Sequence, residues 1–320
     1  MTKVPEEGYQ IIGLNIKGLQ RRLTLENFLF PFKVISSLRA SVKILKEFNP
    51  DVVVGFGGYA SSPITMAAAW KKIPVLLQEQ NSYAGLANKV VARRSSKICV
   101  AYEHMERYFP KHRIIHTGNP VRKAILQGKN DQMKSKAHFG LASIRKTILV
   151  IGGSLGARTI NESIIQNIQE IVASPFQLLW QAGSLYYREL TSRMVGLVAD
   201  NVHIKEFIKE MDMAYAAADL VISRAGALTI SELCIVGKPV IFIPSPNVAE
   251  DHQTKNAIAL VQKDAAMIIP DEQAIHNLIQ TAFDCLENSD KLATLSRNIK
   301  KLAKPNATRD IAHEVLELIK

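Results

Sequence analysis

The sequence predicts an α/β chain built from two doubly wound, parallel-sheet domains. Three observations carry that prediction. Short apolar runs alternate with helix-length segments almost throughout, the pattern of parallel sheets covered by helices on both faces. A polar, basic stretch, "TGNPVRKAILQGKNDQMKSKAHFGLASIRK" (117–146), breaks the alternation near the middle and contains a Gly-Asn-Pro turn signal. Glycine-rich or polar clusters follow the apolar runs on their C-terminal side, where open α/β sheets bind ligands.

The first set of strands is expected at 10–14 (QIIGL), 51–55 (DVVVG), 74–78 (PVLLQ), 97–101 (KICVA) and 113–116 (RIIH). The second is expected at 147–151 (TILVI), 177–181 (QLLWQ), 201–204 (NVHI), 219–223 (DLVIS), 239–243 (PVIFI) and 265–269 (AAMII). This divides the chain into an N-terminal domain (1–120), an interdomain connection (121–146) and a C-terminal domain (147–305). A last helix, 306–320, is expected to pack back on the first domain. Two such domains would face each other across a cleft.

Composition narrows the class. At 320 residues, 47% hydrophobic and 22% charged, the chain has the profile of a globular protein with substantial cores. No apolar run reaches the length of a membrane-spanning helix, and "MTKVPEEGYQ" has no signal-peptide pattern, so a cytoplasmic location is expected. Cys99, Cys234 and Cys285 stand far apart, which fits reduced thiols rather than a disulfide or a zinc site; no metal and no cofactor is expected. The net charge of +11 points to nucleic acid, an anionic membrane or acidic substrates. The basic residues are dispersed, without aromatic interleaving or zinc-finger spacing, so nucleic acid is not an expected partner.

The motifs sit after strands. "ILVIGGSLGARTIN" (148–161) runs a strand into Gly152, Gly153, Ser154 and Gly156, followed by Ile160, Ile164, Ile168 and Ile171 at helical spacing. Amides at a helix start form an anion site, with the Ser154 hydroxyl as an added donor; a tight packing turn that binds nothing has the same residues. "DLVISRAGALTISELCIVGKPVIFIP" repeats the unit, with Gly226 opening a helix that carries Thr229 and Glu232. Glu232 either favours the helix dipole or accepts both hydroxyls of a ribose. "NVAEDHQTKNAIAL" collects Asp251, His252, Gln253 and Asn256 at a third strand end, as caps or as ligand groups. In the first domain Gly55, Gly57 and Gly58 follow one strand, and Gln78, Glu79, Gln80 and Asn81 another. Neither glycine cluster fits the dinucleotide fingerprint.

Together "GFGGYASSP", "QEQNSYAGLANK", "TGNPVR", "GGSLGARTIN", "SRAGALTISEL" and "DHQTKNA" resemble, in order and spacing, the MurG family of peptidoglycan glycosyltransferases across essentially the whole chain. The resemblance implies a GT-B fold and inverting transfer of N-acetylglucosamine from UDP-N-acetylglucosamine to the muramyl C4 hydroxyl of undecaprenyl-linked lipid I. The product would be lipid II, which ties the activity to cell-wall synthesis, cell shape and division. The enzyme would sit peripherally on the cytoplasmic face of the bacterial inner membrane.

The same resemblance implies residue roles. Ser154 would contact the diphosphate, Arg122 would reach the donor, Asn81 would bind the sugar, the Ile208 backbone would hold uracil, and Glu232 would take the ribose. Ala227, Leu228, Thr229, Ile230, Ser231 and Gln253 would complete the donor site; Gly57, Gly58 and Tyr59 would face the acceptor. Gln78 stands where relatives carry a histidine, so no acid-base role comes with it; Glu79 is the remaining candidate base, by position. No Asp-x-Asp motif offers a metal for the diphosphate. Family members also open with a strand and a Gly-Gly-Thr-Gly-Gly-His loop, which has no counterpart before "VPEEGYQIIGL". That departure predicts a missing unit of about 30 residues or more. It leaves as alternatives a non-catalytic UDP-sugar- or membrane-binding remnant, or another GT-B enzyme such as an epimerase or glycolipid synthase.

Residues 24–48, "TLENFLFPFKVISSLRASVKILKEF", place Phe28, Phe32, Ile35 and Leu38 on one helical face beside Lys33, Arg39, Lys43 and Lys46. That face turns either to the core or to anionic lipid, with Trp70 extending the second arrangement. A peripheral enzyme with a lipid-linked acceptor favours the lipid.

Overall fold

The computed structural model describes residues 3–14, 16, 30–128, 131–197 and 199–319. They form two compact units. Unit 1 contains the described residues up to Thr117 together with those from Arg309 onward; unit 2 is Gly118–Thr308.

Unit 1 holds four parallel strands, β1 (Val53–Gly55), β2 (Val75–Glu79), β3 (Lys97–Val100) and β4 (Ile114–His116), in that spatial order. Every residue of β2 is buried, because strands on both sides and packing on both faces leave it no solvent. One face buries Val75, Leu77, Ile98 and Val100 with Ala67, Ala68 and Val91 from the helices Ser62–Trp70 and Leu86–Ala92. The other buries Leu76 and Cys99 beneath Ile311, with Val315 and Leu318 alongside, and Lys97 Nζ donates to Glu314 Oε2 at 2.5 Å. Each fully buried leucine of this kind contributes about 1.5–3 kcal/mol. The expected strand at 10–14 does not form. Ile11 and Ile12 stay exposed there, since an apolar run becomes a strand only when another strand pairs with it.

The helix Phe30–Phe48 packs on the helix Ser62–Trp70 in the same unit. Its inward face is Ser37, Ser41 and Leu45, at i, i+4 and i+8, and the Ser41 hydroxyl donates back to the Ser37 carbonyl at 2.7 Å. Small serines let the two helices approach. Phe32 and Ile35 therefore face outward, 72% and 47% exposed, as does Trp70 at 55%, while Leu38 is half-buried. Phe28 lies outside the described residues.

Unit 2 has six parallel strands: β5 (Thr147–Ile151), β6 (Gln177–Gln181), β7 (Val202–Lys205), β8 (Leu220–Ser223), β9 (Val240–Phe242) and β10 (Met267–Ile268). Their order is β10-β9-β8-β5-β6-β7. The chain winds outward from β5 to β7 and then returns to pair β8 with β5, which puts the topological switch point between those two strands. Residues 121–146 belong to this unit and carry the helices Lys123–Gln127 and Gln132–His138. Asp131 caps the second by accepting from the Lys134 amide at 2.9 Å. The helical repeat predicted after the glycine loop splits into Arg158–Gln166 and Ile168–Ala173, where the Asn167 side chain donates to the Ser163 and Ile275 carbonyls. Both pieces bury their isoleucines against β5 and β6, around a fully buried Trp180 whose indole donates to Asn161 Oδ1 at 3.0 Å.

Candidate functional site

A cavity of about 670 Å³ opens in unit 2 at the C-terminal ends of β5, β6 and β8, at the switch point. Its floor is the loop Gly152–Ala157 between β5 and the helix Arg158–Gln166. The glycines of that loop have different tasks. Gly153 has φ +86° and no atom within 4 Å of where a Cβ would stand, so its backbone is open to a ligand. Gly156, at φ +91°, faces protein instead: a Cβ there would lie 2.2 Å from the Ala182 carbonyl oxygen and 2.7 Å from the Tyr186 ring. The loop is laid directly on the backbone that follows β6, with the Ser184 amide donating to the Ser154 carbonyl at 3.1 Å. The packing reading of this turn thus applies to Gly156, while Gly153 leaves its side of the loop open. Ser154 is exposed on the cavity wall, and Arg158 lines it from the first turn of the following helix.

Gln181, at the end of β6, joins two walls. Its Nε2 donates to the Gly153 carbonyl at 3.0 Å, and its Oε1 accepts the Ile208 amide at 2.9 Å. One buried amide therefore fixes the glycine loop relative to the loop after β7, where Phe207 and Ile208 line the cavity. The Ile208 amide is committed to Gln181, leaving the carbonyl as its polar backbone atom for a ligand.

The helix Ala227–Val236 starts at Gly226 in extended conformation and directs Thr229 and Glu232 to the cavity. Glu232 is buried and held on both oxygens. Arg122 Nε and Nη2 each lie 2.8 Å from Oε1, and the Tyr215 hydroxyl donates to Oε2 at 3.0 Å. Burial first, and the Glu232 charge second, raise the Tyr215 phenol well above its ordinary range, so it stays protonated and donates. Ser231 and Asn119 face each other at 3.1 Å, and the Ser231 hydroxyl donates back to the Ala227 carbonyl, within the helix scaffold rather than on the cavity wall. Ile230 is buried in the core and Leu228 is exposed; neither these two nor Ala227 lines the cavity. Gln253 does line it, and its Oε1 accepts the Ser245 amide at 2.9 Å. Also on the wall, Arg224 donates to Asp271 Oδ1 and to the Ile243 and Pro244 carbonyls, and Thr159 donates to Asp271 Oδ2 at 2.8 Å.

The sequence reading missed Gln181, Tyr215, Arg224 and Asp271. Gln181, Tyr215 and Asp271 lie outside the quoted motifs and Arg224 inside "SRAGALTISEL", and each acts through a partner distant in sequence. Gln181, the last residue of an apolar run, carried the one available signal: a polar side chain where the core pattern asks for an apolar one.

Asn81, Glu79 and the "GFGGY" glycines belong to unit 1. Glu79 is buried and anchors its own loop: Oε1 accepts the Asn81 amide at 3.1 Å, while Oε2 accepts the Gly85 amide at 3.0 Å and Asn88 Nδ2 at 2.8 Å. Those bonds point the carboxylate into the loop, which departs from the candidate-base role. Gly57 and Gly58, at φ +76° and +77°, turn the chain before an exposed Tyr59, and Asn88 lies 3.3 Å from a Cβ built on Gly57. Glu79→Ala should lower the stability of unit 1 by about 2 kcal/mol or more, because buried donors lose their acceptor. Amide exchange over 80–88 should accelerate with it, and unchanged exchange there would remove the anchoring role.

Residues 147–315 match the glycosyltransferase family 28 C-terminal domain and residues 1–100 the glycosyltransferase family 28 N-terminal domain. The fold is GT-B and the class is a hexosyltransferase, and apart from Arg122 the residues lining the switch-point cavity lie inside the C-terminal match. The chain is 49% identical over 319 residues to a curated UDP-N-acetylglucosamine–N-acetylmuramyl-(pentapeptide) pyrophosphoryl-undecaprenol N-acetylglucosamine transferase of Parabacteroides distasonis, covering 100% of this chain and 87% of that one. It is 50% identical over 319 residues to the transferase of the same name from Cytophaga hutchinsonii, covering 100% and 85%. The crystal structure of Acinetobacter baumannii MurG superposes with a TM-score of 0.79 at 28% identity, covering 98% of this chain and 87% of that one. The chain belongs to the MurG family within glycosyltransferase family 28. A UDP-GlcNAc 2-epimerase from Neisseria meningitidis has a TM-score of 0.67 at 16% identity, covering 93% and 84%, a likeness of fold alone.

Proposed function

We propose that this protein transfers N-acetylglucosamine from UDP-N-acetylglucosamine to the C4 hydroxyl of undecaprenyl-pyrophosphoryl-MurNAc-pentapeptide, forming lipid II. The observation that carries the reading is the identity of about half of all residues, along the whole chain, with relatives that bear this transferase name. The unit 2 cavity supports the donor half. The open Gly153 backbone, the Ser154 hydroxyl and Arg158 are suited to a diphosphate. The Ile208 carbonyl is suited to the N3–H of uracil, and Glu232 to the ribose hydroxyls. Thr229 and Gln253 complete that wall, and Asn81 of unit 1 remains the residue assigned to the sugar. Ala227, Leu228, Ile230 and Ser231 serve as the helix that carries Thr229 and Glu232.

The acceptor hydroxyl attacks the anomeric carbon from the face opposite UDP. The new C1–O4 bond forms as the bond from C1 to the β-phosphate oxygen breaks, the configuration inverts, and the hydroxyl proton leaves to a base. The leaving diphosphate gains charge, and donors already aimed at its position stabilise it most. Transfer of labelled N-acetylglucosamine to a lipid I analogue tests the reading. Labelled lipid product supports it, whereas turnover of UDP-N-acetylglucosamine without acceptor, or no turnover of the full chain, would sink it.

The protein is also assigned to the cytoplasmic face of the membrane, held there peripherally. No helix among the described residues is long and apolar enough to cross a membrane. Exposed Phe32, Ile35 and Trp70, with half-buried Leu38 and a net charge of +11, suit attachment to anionic lipid. Phe32→Asp with Trp70→Asp should reduce sedimentation with anionic vesicles severalfold while UDP binding is unchanged. Equal sedimentation of the variant would remove this face.

A further inference from the structure

We propose that Tyr215 is a positioning residue that fixes the Glu232 carboxylate for a ribose diol and thereby sets how strongly the site demands the ribose hydroxyls. The proposal rests on the reading of Glu232 as the ribose acceptor. A glutamate side chain ends in a broad, weakly restricted torsion, so a carboxylate at a cavity wall needs outside contacts to hold its plane. Glu232 has two, and they differ in kind. Tyr215 is fully buried on the helix Met211–Ala217, and its hydroxyl reaches Oε2 at 3.0 Å. Arg122 binds Oε1, but its side chain is 54% exposed.

That difference in burial assigns the roles. A carboxylate offers about four lone-pair positions. Arg122 directs two N–H groups at Oε1 and Tyr215 one hydroxyl at Oε2, so a second position on Oε2 stays open to a ligand hydroxyl. A diol that also engages Oε1 has to displace an Arg122 N–H, which water readily accepts at a half-exposed side chain. The Tyr215 hydroxyl has no such alternative: away from Oε2 it would be a buried donor without an acceptor. Tyr215 is therefore the fixed partner and Arg122 the exchangeable one. The helix that carries Tyr215 begins three residues after Ile208, so the same short segment that meets the base also holds the ribose carboxylate in place.

The test is titration of the full chain with UDP and with 2′,3′-dideoxy-UDP. The wild type is expected to favour UDP by about tenfold or more, from hydrogen bonds to a charged group. Tyr215→Phe, which removes one oxygen and leaves the ring, should weaken UDP by about three- to tenfold and change dideoxy-UDP by less than about twofold. Tyr215→Leu removes the ring as well and should weaken both. Equal weakening of both ligands by Tyr215→Phe, unchanged UDP affinity, or failure of that variant to fold would overturn the proposal, since the hydroxyl would then have a general structural role or none. The underlying reading of Glu232 fails separately and visibly: the wild type would bind the two ligands alike, or Glu232→Ala would keep the preference for UDP.

Discussion

Gly156→Ala should destabilise unit 2 by about 3 kcal/mol or more and abolish UDP binding near its melting temperature, whereas Gly153→Ala, three residues earlier, should cost only about 1–2 kcal/mol. Both glycines have positive φ, +91° and +86°. They differ in what stands opposite. The Cβ of an alanine at 156 would meet the Ala182 carbonyl oxygen at 2.2 Å, and a Cβ on Gly183 would in turn lie 2.1 Å from the Gly156 nitrogen. Backbone cannot move aside as a flexible side chain can, so the glycine loop or the end of β6 must shift. At position 153 nothing lies within 4 Å, and the strain of the left-handed conformation is the whole cost. For a unit of this size 3 kcal/mol corresponds to a fall of roughly 6–12 °C in melting temperature. Calorimetry of the two variants measures the contrast, and equal shifts would show that the loop's contact with β6 carries no stability.

The second large effect is expected at Glu232. Glu232→Ala should weaken UDP by about 10- to 100-fold, the loss of one or two hydrogen bonds to a charged, buried acceptor. Its partners respond unequally. Arg122 returns to water, while the Tyr215 hydroxyl is left buried without its acceptor and adds about 1–3 kcal/mol of destabilisation. Titration calorimetry with UDP, alongside a melting curve, separates the two losses. Unchanged UDP affinity would remove the ribose assignment.

Much of the fold was legible in the residues. The runs at 147–151 and 177–181 are strands over those very spans, and the polar clusters that follow β5 and β8 meet in one cavity. Apolar runs between turn signals carry this information because a strand buried on both faces has few other ways to satisfy its side chains. The run at 10–14 looks the same in sequence and forms no strand, since pairing is a tertiary event. Periodicity likewise placed Phe32, Ile35 and Leu38 on one stripe, without saying whether it faced in or out. The inward stripe is Ser37, Ser41 and Leu45, which hydropathy alone would rank behind the phenylalanine.

The class is written in the residues alone: alternating strands and helices, glycine loops at strand ends, and six motifs in family order. These are local properties, written in neighbouring residues and their spacing. Folding set which glycine is left open and which is pressed against backbone. It also committed the Ile208 amide to Gln181, turned Glu79 into its own loop, and placed Tyr215 and Arg122 on opposite oxygens of Glu232. The Ile208, Glu232 and Gly156 contacts depend on atoms brought together from distant parts of the chain, and partners at such separations leave no mark in spacing or composition; Glu79 meets partners two to nine residues on, through a loop conformation that spacing does not show either.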